Sequence, residues 1–245
     1  MTDLMPVAAA LERILRDMNR LPAEVVPVAS AYGRVLSEDV HSPLDLPPFD
    51  NSAMDGYAVR AQDTASAPVT LRVVDDIPAG RASTREIQIG EAARIMTGAP
   101  MPSGADAVVP VELTGADWGG MPGVVSASAV RINAPVQTGD SVRERGENVQ
   151  TGQLLLRGGS LLRAQDLGML ASVGMGEVAV VRQPRVVVMT SGDELMPYGQ
   201  PLSPGGIYDG NSPMLAALIT QYGGEPTILP PARDSLDSVR TTFRA

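Results

Sequence analysis

Between Tyr57 and Val142 the chain cannot run far in one direction. Turn formers recur at Ile77-Pro78-Ala79-Gly80, Gly98-Ala99-Pro100, Pro102-Ser103-Gly104, Trp118-Gly119-Gly120 and Gly139-Asp140. Glycine gives access to positive φ. Proline fixes φ and removes a backbone donor, so each cluster interrupts any regular element. Only short strands fit between such interruptions. The spacing predicts a small β-domain or barrel, with Trp118-Gly119-Gly120 at a hairpin tip.

The flanking sequence has a different character. Over residues 5–19, Val7, Leu11, Ile14, Leu15 and Met18 fall on one helical stripe, with Glu12, Arg13, Arg16 and Asp17 opposite. Asn19 and Pro22 end it. Such a stripe means packing or a subunit contact. Residues 24–42 alternate short strand and short helix signals. A second helix is expected from Arg163 to Val173, with Ala164, Leu167, Leu170 and Ala171 inward and Gly174 as its stop. From Arg185 to Thr190 the chain reads as a buried parallel strand. Ser212-Pro213 then reads as a helix cap followed by a first-turn proline. Met214, Leu215, Leu218, Ile219 and Tyr222 form its stripe, and Gly223-Gly224 close it. A strand at Thr227–Leu229 and a helix capped by Asp234-Ser235 complete a β-α-β-α pattern, the start of a doubly wound sheet. Two strands and so few helices cannot cover a sheet on both faces, so the sequence is expected to stop inside a domain.

Composition removes several chemistries. The chain of 245 residues has no cysteine, which excludes disulfides, thiolate metal sites and a cysteine nucleophile. Its one histidine, His41, excludes a multi-histidine metal site and a Ser-His-Asp arrangement is implausible. All 19 basic residues are arginine, so neither Schiff-base chemistry nor a P-loop lysine is available. A net charge of −9 argues against nucleic acid and anionic membrane as partners. No apolar run approaches the roughly 18 residues that span a bilayer, and no signal peptide is visible, so a cytoplasmic location is expected. Aromatics make up only 3%, which leaves Val, Leu, Ile, Ala and Met to build the core.

Four polar clusters remain. Asp50, Asn51, Ser52 and Asp55 sit in a loop that runs from Pro47 to Arg60. They read either as turn chemistry, with Gly56 at positive φ, or as binding groups. Arg94 through Pro100 ends a strand in a hydroxyl and a glycine, which makes either a simple turn or a place where amides meet an anion. Arg143-Glu144-Arg145-Gly146-Glu147-Asn148, if extended, puts Arg143 and Arg145 on one face. It is either a solvated edge or an anion contact. Ser191-Gly192-Asp193-Glu194 stands at the carboxyl end of a strand, and Tyr208-Asp209-Gly210-Asn211 stands just ahead of a helix. Both are places where open α/β sheets bind ligands. Asp193, Glu194 and Asp209 together could hold a hard cation such as Mg²⁺.

These clusters, in this order, resemble the molybdopterin molybdenumtransferase family, which includes bacterial MoeA and the gephyrin E-domain. The matching text is Pro43-Leu44-Asp45 with Phe49 through Arg60, Arg94 through Pro100, Arg143 through Glu147, Ser191 through Leu195, and Ile207 through Asn211. The resemblance implies an α+β and α/β multi-domain fold. Residues 1–43 and 150–183 would form a mixed linker and dimerisation domain, and 44–149 an inserted β-rich domain. Residues 184–245 would begin a doubly wound molybdopterin-binding domain. It implies a homodimer with a cleft shared between subunits, and a molybdopterin adenylyltransferase as a partner. The implied reaction inserts molybdate into adenylylated molybdopterin and releases AMP, with a divalent cation, Mg²⁺, required. By the match, Asp55, Thr97 and Glu194 take catalytic positions, Glu194 also serving the cation. Asp193, Asp209 and Asn211 would position the pterin nucleotide, and Arg143 and Arg145 would neutralise phosphate or molybdate, beside Glu147 and Asn148.

Two departures from the family pattern stand out. Asn148 occupies a position where the family commonly has Asp, and an amide cannot supply that charge. The later glycine- and lysine-containing segments of the α/β domain and a C-terminal β-domain have no counterpart in these 245 residues. The chain by itself is therefore expected to be inactive. A non-catalytic dimerising scaffold of the gephyrin type is the alternative.

Overall fold

The computed structural model describes residues 5–16, 18–116 and 128–244. The expected hairpin tip at Trp118-Gly119-Gly120 lies outside the described residues. The chain separates into two compact units, Met1–Val40 with Leu156–Ala245, and His41–Leu155. The middle of the sequence is one unit, and the two ends together make the other.

The unit His41–Leu155 is built on a five-stranded sheet. Its strands lie in the order Ala107–Pro110, Gly56–Val59, Glu91–Ile95, Val69–Ile77, Ala129–Ile132. Gly56–Val59 runs antiparallel to both its neighbours. Val69–Ile77 is parallel to Glu91–Ile95 and antiparallel to Ala129–Ile132. The two middle strands are buried along their whole length, so each face carries a core. Side chains alternate across a strand. Tyr57, Val59 and Ala92 therefore join Leu71, Val109 and Ile132 on one face. Ala58, Ala93 and Ile95 join Ile77, Ile87 and Val108 on the other.

Gly56 sits at the start of a buried strand between two others. A Cβ there would lie 2.1 Å from the Val109 carbonyl oxygen. Its φ is not positive, contrary to the turn expected at that position. The glycine is required by close approach of backbones rather than by a left-handed turn. Methionine is also less central than composition suggests. The buried apolar side chains are Val, Leu, Ile and Ala with Tyr57, while Met101 and Met175 pack at the core margins.

In the other unit, Ala23–Pro27 pairs antiparallel with Glu177–Val181, from Ala23 opposite Val181 to Pro27 opposite Glu177. Val28, Leu36, Leu162, Leu170 and Val180 pack behind this pair. The helix α1, Val7–Arg16, is shorter than the 5–19 expected, and none of its residues is buried. Its stripe faces outward: Val7 is 86% exposed and Ile14 58%. The helix α2, Ala164–Ser172, buries Leu170 and lies within one residue of its expected ends.

The β-α-β-α pattern is present. Arg185–Val188 and Glu225–Ile228 are parallel, joined through α3, Asn211–Gln221, and followed by α4, Leu236–Arg244. Ser235 Oγ accepts the Ser238 amide at 3.2 Å, the expected cap of α4. The Arg185–Val188 strand departs from expectation. Val188 is buried but Val187 is 60% exposed, so only one face is covered. The start of α3 differs as well. It begins at Asn211, with Gly210 at the cap position, rather than at Pro213 behind a Ser212 cap. The reason is a buried carboxylate one residue upstream, described below.

Candidate active site

Three of the four polar clusters meet in the unit His41–Leu155. Asn51 and Ser52 pair antiparallel with Arg143 and Val142. The Ser52 amide donates to the Ala99 carbonyl at 3.0 Å, and the Gly98 amide to the Ser52 carbonyl at 2.8 Å. The Arg145 amide donates to Asp50 Oδ1 at 2.7 Å. Segments about 45 residues apart in sequence are thus stitched into one platform by backbone hydrogen bonds. Within the loop, Asn51 Nδ2 donates to the Phe49 carbonyl and Ser52 Oγ to the Met54 carbonyl. The side chains of the loop supply its turn chemistry, and its backbone supplies the platform.

Asp55 and Thr97 are brought into direct contact. Asp55 Oδ1 accepts both the Thr97 amide and the Thr97 hydroxyl at 2.8 Å. The Thr97 hydroxyl spends its proton there, so toward a ligand it can only accept. The second carboxylate oxygen of Asp55 has no partner among the described residues. The pair is exposed, and Gly98 takes the positive φ of 80° that turns the chain after Thr97.

The Arg143–Asn148 segment is not the extended run that alternating charge suggests. Only Arg143 is in a strand; a turn follows, closed by the Glu147 amide on the Glu144 carbonyl at 3.2 Å. Glu147 Oε2 accepts the Glu144 amide at 3.1 Å, and the Gly146 amide reaches the Pro47 carbonyl at 2.9 Å. Arg143 and Arg145 consequently do not share a face. Arg145 Nε is held by Asp45 Oδ2 at 2.6 Å. Arg143 has no carboxylate partner among the described residues and is the guanidinium available to an anion. Asn148 is exposed, and its amide nitrogen on the backbone donates to the Leu46 carbonyl at 3.0 Å.

Asp45 was matched in sequence but given no role, and it proves central to this turn. It accepts the Thr151 amide and hydroxyl, each at 2.8 Å, besides Arg145. The Thr151 amide above all, then its hydroxyl and Arg145, hold the Asp45 carboxyl below its ordinary range. Arg94, at the start of the second cluster, is not an anion contact. It is buried and faces Asp76 Oδ2 at 3.3 Å.

The fourth cluster belongs to the other unit. Leu195-Met196 pairs in parallel with Ile207-Tyr208, which places Asp193 and Glu194 just before this ladder and Asp209 just after it. Asp193 and Glu194 are exposed. Asp193 Oδ1 takes the Asp234 amide at 3.4 Å and stands 4.0 Å from Arg233.

Asp209 is buried and fully engaged. Its Oδ1 accepts the Asn211 and Ser212 amides at 3.1 Å, and its Oδ2 accepts the Thr190 hydroxyl at 2.8 Å and the Ser212 hydroxyl. Burial alone would push its carboxyl upward. The Ser212 bonds first, then Thr190 and Asn211, outweigh that and leave it below the ordinary value. This acid, not Ser212, caps α3. Its carboxylate fixes the Gly210-Asn211 turn and leaves the exposed Asn211 side chain at the helix start.

The expected Mg²⁺ site is therefore not formed by Asp193, Glu194 and Asp209. Asp209 has its oxygens filled by protein donors, and among the described residues no group of three acidic or histidine side chains is placed to hold a metal. Glu194 is left as an exposed carboxylate. The described residues also contain no helix long and apolar enough to cross a membrane.

The platform of Asp50–Asp55, Thr97–Ala99 and Arg143–Glu147 can be compared with known proteins. Residues 5–174 match the family model of the MoeA N-terminal region, domains I and II.

The chain belongs to the MoeA family.

It is 46% identical over 217 residues to molybdopterin molybdenumtransferase 2 of Mycobacterium tuberculosis, covering 86% of this chain and 51% of that protein. It is 42% identical to molybdopterin molybdenumtransferase of Nostoc, covering 90% of this chain and 49% of the relative. A crystal structure of a MoeA protein from Pyrococcus horikoshii superposes with a TM-score of 0.86 at 34% identity, over 99% of this chain and 63% of that one. The chain thus spans about half the length of the curated relatives it matches. The MoeA assignment agrees with the mixed α and β architecture. Four residues that sequence reasoning gave no part in the site, Asp45, Thr151, Thr190 and Ser212, act through hydrogen bonds to residues it assigned or to one another. Only Ser212 left a readable signal, as the third residue after an acid that precedes a helix.

Proposed function

We propose that the protein carrying this chain works in molybdenum cofactor biosynthesis, as a cytoplasmic homodimer that inserts molybdate into adenylylated molybdopterin and releases AMP. The observation that carries this reading is the Asp55–Thr97 pair on a platform with Arg143. The unpaired Arg143 guanidinium suits a polyanionic substrate and an oxyanion such as molybdate, while the free Asp55 oxygen and the acceptor-only Thr97 hydroxyl suit N–H or O–H donors on the organic part of the substrate. In this reading Arg143 draws the anion, and Asp55 with Thr97 orients the substrate by accepting from its pterin N–H groups. Arg145 and Glu147 shape the turn that presents Arg143, and Asn148 follows it at the surface. Glu194, Asp193 and Asn211 contact the pterin nucleotide, with Asp209 holding the Asn211 turn in place. The substrate is an adenylylated pterin, so an adenylyltransferase must supply it. The exposed apolar stripe of α1 supports dimerisation.

The test is molybdate-dependent AMP release from adenylylated molybdopterin, with cofactor formation read by activation of an apo-molybdoenzyme. Asp55→Asn and Thr97→Val should each lower the rate at least about tenfold, as loss of a charged or transition-state hydrogen bond does, while Thr97→Ser retains activity. Unchanged rates in both variants would sink the assignment. The α1 stripe also suits a non-catalytic dimerising scaffold. Stable dimers that bind the pterin nucleotide without releasing AMP would favour that second reading.

A further inference from the structure

A pocket built from none of the platform residues lies within the unit Met1–Val40 with Leu156–Ala245. Its volume is about 970 Å³, at the upper end of small-molecule sites. Every charged side chain lining it is an arginine: Arg20, Arg34, Arg163 and Arg182. No carboxylate lines it, in a chain whose net charge is −9. Two of the four are neutralised locally, Arg34 by Glu24 and Arg163 by Asp166. Arg20 and Arg182 have no carboxylate partner among the described residues. The Nε of Arg34 is buried without an acceptor.

Aromatic side chains stand at the same mouth. Tyr32 and Tyr222 both line the pocket and are 70% and 82% exposed. Their neighbouring glycines are close, since a Cβ on Gly223 would lie 3.9 Å from the Gly33 carbonyl oxygen. With only 5 tyrosines in the chain, two bare rings beside unpaired arginines are not a consequence of composition. Gln183 Nε2 donates to the Gly223 carbonyl at 3.0 Å, which fixes its amide and leaves its oxygen as an acceptor.

We propose that this pocket binds an organic phosphate bearing a flat aromatic ring, of the mononucleotide class. The phosphate sits on Arg20 and Arg182, and the ring lies against Tyr32 or Tyr222. Guanidinium forks match phosphate oxygens, and tyrosine faces stack nucleobases without regard to sequence. The site is separate from the platform around Asp55 and does not depend on the reaction assigned there.

Calorimetric titration of the protein with AMP, adenosine and inorganic phosphate tests this. AMP should bind more tightly than either fragment. Arg20→Ala combined with Arg182→Ala should weaken AMP at least about tenfold, as loss of charged hydrogen bonds does. Tyr222→Ala should weaken it about fivefold or more. Asp55→Asn, which strikes the other site, should leave this binding intact, and unchanged melting temperatures would show that the variants are folded. Three results would overturn the proposal: no AMP binding, AMP no tighter than phosphate, or AMP binding lost in Asp55→Asn but kept in the arginine variant. A failure of molybdate-dependent AMP release would leave these titrations untouched.

Discussion

Replacing Asp209 by alanine should detach the start of α3 from the end of the Arg185–Val188 strand. The wild-type carboxylate accepts the Asn211 and Ser212 amides and the Thr190 and Ser212 hydroxyls, all from a buried position. An N-cap acceptor is worth about 1 kcal/mol. Hydrogen bonds to a charged group are worth about 1.5–3 kcal/mol each but do not add, because orphaned hydroxyls rotate toward other acceptors or water. Together these give a local loss of about 2–4 kcal/mol for Asp209→Ala. Asp209→Asn should cost only about 1 kcal/mol, since the carbonyl oxygen still caps and either hydroxyl can turn to accept from the new amide.

Amide hydrogen exchange over residues 207–221 reads this directly and needs no assumption that the two units unfold together. Protection at Asn211 and Ser212 should fall roughly thirtyfold or more in Asp209→Ala where exchange goes through local opening. The pH dependence has a fixed sign. Asp209 is held below its ordinary value of 3.8, so its contribution is complete above that value. It disappears as the pH falls below 3.8 and through the lowered native value, because only the charged form is favoured in the fold. The gap between wild type and Asp209→Ala must therefore shrink on acidification. A gap that widens below 3.8, or wild-type protection in the alanine variant, would refute the argument.

Three further outcomes follow from the unit His41–Leu155. Gly56→Ala puts a Cβ 2.1 Å from the Val109 carbonyl oxygen, so the variant should lose the cooperative unfolding transition of this unit or fail to accumulate as soluble protein; a wild-type urea midpoint would show that the strands can part cheaply. Arg94→Ala removes the guanidinium that faces buried Asp76 and should destabilise by about 3–5 kcal/mol in urea denaturation, whereas Arg94→Met with Asp76→Asn should recover much of that. The Asp45 carboxyl, followed by carbon-13 NMR, should titrate below its ordinary 3.8, and Thr151→Val should move it back upward; a titration at or above 3.8 in the wild type would show that the Thr151 and Arg145 bonds do not persist in solution.

Much of the local structure was legible because it rests on local rules. Turn formers interrupt Tyr57–Val142, although Val69–Ile77 still runs 9 residues, and the extents of α2 and α3 follow from helical spacing. Their stripes are not buried faces, since only Leu170 of the α2 stripe is buried and Met214, Leu215, Leu218 and Tyr222 of the α3 stripe are exposed. The Ser235 cap needs only a side chain and an amide three residues on. Gly56 shows where local rules mislead. An acid followed by glycine reads as a turn, but this glycine opens a strand whose neighbours come from residues 91–95 and 107–110. The same limit applies to Arg145. It looked like a cation for a ligand, and it is matched to a carboxylate remote in sequence, Asp45. Asp209 looked like a ligand contact or metal donor, and its lone pairs are consumed by Thr190, Asn211 and Ser212.

Sequence alone determined which side-chain chemistries these 245 residues can supply and that they belong to the MoeA family. No cysteine, no lysine and one histidine fix the available groups before any folding occurs. The ordered match from Asp50 to Asn211 needs no coordinates either. The tertiary structure decided which of those groups are free. Charge and hydrogen-bonding capacity are properties of a residue, but their availability depends on what the fold places within about 3 Å. That placement leaves Arg143 open and closes Arg145, sets Thr97 against Asp55, and turns Asp209 from a candidate ligand into the cap that holds Asn211 in position.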